Sequence, residues 1–271
     1  MSETLMISVF GMRGHVGADL TPELVARHAA ALGAWVASRG GNTVVSGRDA
    51  RTSGAMFTMA ASAGFASVGI DVIDVGVVPT PTVQMAVEHH HAGAGLIITA
   101  SHTPIERNAL KFVGPDGIFL DAAAGATVRQ LATDGPPRSG WARIGSYRTD
   151  PDAVARHLDA ILALDLIDVD AIRAAALPVA LDAVRGAVMA ELFRRRGTPM
   201  AGSHLEADGR FPHEPEPVPA NLGDLATLVR QQGSAVGMAV DPDVDRLALV
   251  DETGSPIGED YTLAFAVSAV L

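Results

Sequence analysis

At 271 residues the chain is long enough for two domains with separate cores, and a 48% apolar, 4% aromatic composition means that those cores are built mainly from Ala, Val, Leu and Ile. Twenty Lys+Arg against 31 Asp+Glu give a net charge of -11, which disfavours nonspecific attraction to nucleic acid or an anionic membrane, so an anionic substrate has to meet a local basic pocket. With no cysteine there is no disulfide framework or thiolate metal site; the start MSETLMISVF lacks the pattern of a secretory signal, no apolar run is long enough to span a bilayer, and a cytoplasmic protein is expected.

In the first half, short Val/Ile-rich runs alternate with Ala-rich segments, the pattern of parallel strands joined by crossover helices. Strands are expected near Met6–Phe10, Thr43–Ser46, Val72–Val75 and Leu96–Thr99. Thr21-Pro22-Glu23 starts a helix that runs to about Ser38, with Thr21 as N-cap and Pro22 in the first turn. Further helices fit Ser53–Ser67 and Thr82–Glu88. After Leu110–Phe112, the Gly114-Pro115-Asp116-Gly117 turn predicts a hairpin before a helix near Ala122–Leu131, and Asp134–Gly140 reads as the start of a linker.

A second unit begins with a helix around Asp152–Ala163 and a strand at Pro178–Asp182. The next helix ends in Arg194-Arg195-Arg196-Gly197, a solvated C-terminal turn in which cations suit the helix dipole. Pro-rich Phe211–Pro217 is an extended connection. A helix near Leu222–Gln232 and strands at Val236–Val240 and Leu247–Val250 follow. From Glu259 to Leu271 the chain reads as a helix apolar on nearly every side and without a terminal cap, as though a third domain were just starting.

Two segments carry chemistry. The run Leu96–Ile98 enters Thr99-Ala100-Ser101-His102-Thr103-Pro104, which puts a serine hydroxyl where a buried strand breaks into a loop. Downstream, Asp241-Pro242-Asp243-Val244-Asp245-Arg246 alternates carboxylates that can converge on one divalent cation, beside an arginine able to hold a phosphate oxygen. Taken singly, Ser101 reads as a turn or capping residue, and the three aspartates as a solvated turn; a calcium loop is disfavoured because the required glycine and distant glutamate are missing. His89-His90-His91 reads as a helix end, since consecutive histidines seldom converge on a metal. Direct adjacency of His102 to Ser101 speaks against a serine-hydrolase dyad, because neighbours in an extended segment point to opposite faces.

In order along the chain come Gly11-Met12-Arg13-Gly14, Gly47-Arg48-Asp49-Ala50-Arg51, the Ser101 loop, Asn108-Ala109-Leu110-Lys111, Asp208-Gly209-Arg210-Phe211-Pro212 and the acidic loop. This ordered set resembles the α-D-phosphohexomutases, the family of phosphoglucomutase, phosphomannomutase and phosphoglucosamine mutase. The resemblance implies two consecutive mixed-sheet α/β domains, 1–148 with the phosphoserine loop and 149–256 with the metal loop, and the start of a third at 257–271. It implies exchange between 1- and 6-phosphosugars through a phosphoserine and a hexose 1,6-bisphosphate intermediate.

By the same resemblance, Ser101 carries the phosphoryl group, and Asp241, Asp243 and Asp245 hold Mg²⁺ together with a Ser101 phosphate oxygen. Arg13 and Arg246 surround the phosphoserine, although Arg13 between two glycines also reads as a surface cation. Lys111 is the general acid/base toward the sugar hydroxyl, a task that requires a lowered pKa, and His102 orients the group or transfers a proton. Thr103, Ala109 and Arg185 depart from the family's usual Asn, Gly and Asn. The sugar-recognition and distal-phosphate loops of the family do not occur, so impaired turnover is expected, and a separately encoded C-terminal half is a candidate partner. Two other readings compete. One is a phosphatase with Asp241 as nucleophile and Asp243 as acid/base; the other is a noncatalytic remnant that binds metal and phosphosugar.

Overall fold

The computed structural model describes residues 5–8, 11–187, 190–258 and 260–271, and the chain divides into two compact units. The first comprises residues 1–100 and 105–154; the second comprises 101–104 and 155–271. In chain order the elements are β1 (Met6–Ser8), β2 (Gly11–His15), α1 (Pro22–Ser38), β3 (Thr43–Arg48), α2 (Gly54–Ala66), β4 (Asp71–Val77), α3 (Thr80–His89), β5 (Ala94–Ile98), β6 (Arg107–Val113), α4 (Ala122–Asp134) and β7 (Tyr147–Thr149). They continue as α5 (Ala153–Leu162), α6 (Val169–Ala175), β8 (Val179–Asp182), α7 (Ala190–Arg196), β9 (Met200–Ser203), α8 (Gly223–Gln232), β10 (Val236–Val240), β11 (Leu247–Val250) and α9 (Asp260–Val270).

The first unit is a seven-stranded sheet in the order β1-β2-β6-β5-β3-β4-β7, parallel among β5, β3, β4 and β7 and antiparallel toward β1. Successive residues of its central strands supply two cores, as the two-residue period of a strand requires. Val44, Val72, Leu96, Ile98 and Leu110 join one apolar cluster with α1, α2 and α4. Val45, Ile73, Ile97 and Val113 join another with α3. Helix α1 starts as the sequence predicts: the Thr21 hydroxyl accepts from the Leu24 N–H and Pro22 fills the first turn. At β2, Gly11 has φ 143°, and a Cβ there would lie 1.7 Å from the Leu110 carbonyl oxygen, so only glycine lets β2 run this close to β6.

The second unit holds a four-stranded sheet, β11-β10-β8-β9, with β10, β8 and β9 parallel and β11 antiparallel. Helix α8 covers one face with Leu225, Ala226 and Val229 against Ala180, Ala239, Ala248 and Val250. The carboxyl ends of β8 and β10 lie in register, Asp182 beside Ala239, so the loops that follow them emerge side by side.

Several expectations need adjustment. The strand expected at Met6–Phe10 is β1 alone, followed by the separate antiparallel strand β2; Val9 and Phe10 lie outside the described residues. The 134–140 segment does not leave the first unit: the chain returns through a 3₁₀ turn at Trp141–Arg143 to add β7 beside β4. The 148/149 division therefore falls inside β7, whereas the compact units part at 154/155. Elements α6 and β9 were not anticipated. Glu259 lies outside the described residues, and α9 exposes Leu263, Phe265 and Val270. No described helix is long and apolar enough to cross a membrane.

Candidate active site

Strand β5 ends at Ile98, and the turn that follows is prepared by a buried ionic group in the first unit. Asp49 and Arg51 are both fully buried; the Arg51 Nε donates to Asp49 Oδ2 at 3.1 Å. That carboxylate also accepts from the Thr99 hydroxyl at 2.7 Å and, through Oδ1, from the Arg51 backbone N–H at 2.9 Å. The Arg51 Nη1 donates to the Arg107 carbonyl, which ties in the first residue of β6. A buried pair is tolerated only when its remaining hydrogen-bonding capacity is met, as these contacts do.

Ser101 follows with φ 51°, a left-handed conformation unusual for a non-glycine residue. The segment 101–104 belongs to the second compact unit. The Ser101 Oγ, in a residue only 4% exposed, donates to Asp241 Oδ2 at 2.6 Å and lies 3.2 Å from His102 Nδ1. The expectation that Ser101 and His102 face apart does not hold, because it assumed extended backbone and the positive φ of Ser101 turns both side chains to one side.

The acidic loop follows β10. Asp241 and Asp243 are fully buried and Asp245 is exposed, and one carboxylate oxygen of each lies within 4.8 Å of the others. Asp241 Oδ1 accepts from the backbone N–H groups of Asp245 and Arg246 at 3.1 and 3.2 Å, so the loop wraps around its own first carboxylate. Burial pushes the Asp241 carboxyl up to about 8, and the neighbouring charges of Asp243 and Asp245 add to the rise while the Ser101 hydrogen bond opposes it. Three convergent oxygen donors that repel one another, two of them buried, are the donor set that a hard divalent cation neutralises, and Mg²⁺ fits it.

Around this centre, Arg246 Nη1 pairs with Glu216 Oε1 at 3.1 Å, and His102 Nε2 lies 3.9 Å from the same oxygen. Arg13 and Lys111 belong to the first unit, on the paired strands β2 and β6, where Gly11 faces Lys111 and Arg13 faces Ala109. Both line a cavity of about 460 Å³ with Ser8 and Phe119, and Lys111 Nζ stands 5.9 Å from the Phe119 ring centroid. Thus the structure brings Ser101, His102, Asp241, Asp243, Asp245 and Arg246 together in the second unit, and Arg13 with Lys111 in the first. Of the histidine run, His90 pairs with Asp150 at 2.7 Å. Sequence reasoning missed Asp49, Arg51 and Thr99 as the props of the serine turn; a charged pair directly after a buried strand was the available signal.

The architecture defines a two-unit mixed-sheet α/β protein that gathers a buried serine and three carboxylates at the carboxyl end of parallel strands. Family models for the phosphoglucomutase/phosphomannomutase alpha/beta/alpha domains match in succession, domain I at residues 7–137 and domain II at residues 155–254. The chain belongs to the phosphoglucomutase/phosphomannomutase family. It is 36% identical over 273 residues to a phosphoglucomutase/phosphomannomutase of Thermococcus kodakarensis, covering 98% of this chain and 59% of that protein. A phosphoglucosamine mutase of Halorhodospira halophila is 34% identical, with 96% and 57% covered. The crystal structure of a phosphoglucomutase/phosphomannomutase family protein from Burkholderia thailandensis superposes with a TM-score of 0.81 at 27% identity, covering 98% of this chain and 60% of that one. The chain therefore spans a little under three fifths of the length of these two curated relatives.

Proposed function

We propose that the chain carries the nucleophile and metal site of a phosphohexomutase, which moves a phosphoryl group between the 1- and 6-positions of a hexose phosphate by way of a hexose 1,6-bisphosphate. The observation that carries this reading is the 2.6 Å hydrogen bond from Ser101 Oγ to a buried carboxylate of a three-aspartate cluster. That contact seats the hydroxyl beside the cation donors, and a serine in strained backbone is held ready for one geometry.

In this reading Ser101 Oγ takes a phosphoryl group from the bisphosphate: the P–Oγ bond forms as His102 Nδ1 accepts the hydroxyl proton, the bond from phosphorus to the sugar oxygen breaks, and Lys111 protonates that oxygen as it leaves. In the reverse transfer Lys111 accepts the proton of the attacking sugar hydroxyl, and His102 Nδ1, 3.2 Å from Oγ, returns a proton to the departing serine. Asp241, Asp243 and Asp245 hold the cation. Bound Mg²⁺ would act as a Lewis acid toward the transferring phosphoryl oxygens. Arg13 and Arg246 neutralise oxygens of the phosphoserine; for Arg246 this requires exchanging Glu216 for phosphate, an exposed pair that costs little to break. The two compact units, which part at 154/155, act as the family's first two domains, and α9 opens a third. The protein works in the cytoplasm on phosphosugars.

Incubation with a hexose 1,6-bisphosphate and Mg²⁺, against a chelated control, followed by mass-spectrometric mapping, tests the assignment. Metal-dependent phosphate on Ser101 is expected. Phosphate on Asp241 would replace the mutase reading by an aspartyl phosphatase, and binding without any transfer would leave a noncatalytic phosphosugar-binding protein.

A further inference from the structure

Beside the acidic loop, the second unit holds another group of potential ligands that the phosphoryl chemistry does not use. Asp182, at the buried carboxyl end of β8, faces two imidazoles. His204 Nδ1 lies 3.2 Å from Asp182 Oδ1 and 3.3 Å from Oδ2, and His213 Nε2 lies 3.1 Å from Oδ2. One ligand atom from each residue falls within 4.8 Å of the others. A tetrahedral cation with bonds near 2.0 Å sets its donors about 3.3 Å apart, close to the spacing of both imidazole nitrogens from the carboxylate.

The outer nitrogen of His213 is oriented as a metal ligand's is, and that of His204 faces a carboxylate beyond hydrogen-bond distance. His213 Nδ1 donates to the Glu214 carbonyl at 2.9 Å, and His204 Nε2 lies 4.0 Å from an Asp224 carboxylate oxygen. His213 Nε2 faces the Asp182 carboxylate at 3.1 Å, a contact that a proton on the ring satisfies and that a cation can take over by displacing that proton. Asp182 itself is anchored, since its Oδ1 also accepts from the Val184 N–H at 2.9 Å. His204 is held at φ 52°, and the loop backbone is tied down by the Arg185 N–H donating to the His204 carbonyl.

We propose that Asp182, His204 and His213 bind one Zn²⁺-class cation, independently of the Asp241 cluster. The ion fastens the loop after β9, through His204, and the Pro-rich connection, through His213, to the end of β8. Two nitrogen donors and one carboxylate select a borderline cation over Mg²⁺, leaving a fourth position for water.

The test titrates the full chain with Co²⁺ while excess Mg²⁺ occupies the carboxylate cluster. One equivalent of Co²⁺ with the strong visible absorption of a four-coordinate site is expected, displaced by Zn²⁺. H204Q and H213Q should each weaken binding at least tenfold, whereas D243N should leave the cobalt spectrum unchanged. No visible absorption, an affinity in either histidine variant equal to that of the unaltered chain, or loss of the spectrum in D243N would overturn the proposal. Should either histidine variant fail to fold, the ring resonances of His204 and His213 in the unaltered chain decide, and a Zn²⁺ titration that does not shift them refutes the site.

Discussion

Asp241 sits where its own charge is hardest to keep. Burial, with two carboxylates as neighbours, outweighs the opposing hydrogen bond from the Ser101 hydroxyl, so its proton leaves only near pH 8 in the folded chain against an ordinary value of 3.8. Between those values the folded state binds more protons than the unfolded one, so this group's contribution to stability is full at acid pH and is lost as pH rises through about 8. In metal-free protein, D243N should therefore flatten the decline of Tm between pH 5 and 8 relative to the unaltered chain, and millimolar Mg²⁺ should flatten it in the unaltered chain alone; calorimetry across that range measures both slopes. Arg51 presents the opposite case, a buried charge with every contact satisfied. Arg51→Ala would strand Asp49 without its counter-ion, and chemical denaturation should register a loss of about 3–5 kcal/mol. Thr99 would lose its fixed acceptor at the same time, so phosphate uptake by Ser101 should fall together with stability.

Helices α1 and α2 meet at Gly64, where an added Cβ would lie 2.3 Å from the Ala26 carbonyl oxygen. Backbone cannot yield as a side-chain tip can, so Gly64→Ala should separate the helices and cost about 1–3 kcal/mol, read as a lowered denaturation midpoint with unchanged m-value. Elements like α1 were legible because local chemistry sets both ends: Thr21 and Pro22 start it, and the chain leaves it at Arg39 and Gly40. β10 and β11 were legible as compact apolar runs flanking charged turns. Helix α6 was not, since seven residues begun by the Asp168 cap show too few turns for a period, and the small residues of β9 show no alternation. The same division runs through the candidate site. Spaced carboxylates in one loop announce a cation site, but the Ser101–Asp241 contact joins residues 140 apart, and the Asp182, His204 and His213 group exists only once β8 and the connections beyond it are folded. The facing of His102 and Ser101 depended on one left-handed residue, which no periodic pattern reports.

For the molecule as a whole, the question is which parts of a mutase cycle the 271 residues can carry. The chain spans 59% of the length of its Thermococcus relative, and Ser101 and the three-aspartate cluster lie within that span. Accepting a phosphoryl group asks only that Ser101 and the aspartates be preorganised, and their hydrogen bonds are local to the second unit. Turnover asks more. In the proposed cycle the bisphosphate intermediate has to be reoriented so that its other phosphate meets Ser101, and the binding energy for that would come from contacts remote from the reacting atoms. Single-turnover phosphorylation and steady-state mutase activity should therefore separate in the isolated chain: rapid, Mg²⁺-dependent labelling of Ser101, abolished in S101A, beside turnover at least a hundredfold below that of the Thermococcus protein. Supplying the remaining C-terminal portion of that relative in trans should raise turnover while leaving the labelling rate unchanged. Equal turnover by the isolated chain would mean that these 271 residues supply the distal grip themselves, and the first-unit cavity lined by Arg13 and Lys111 would be the place to seek it.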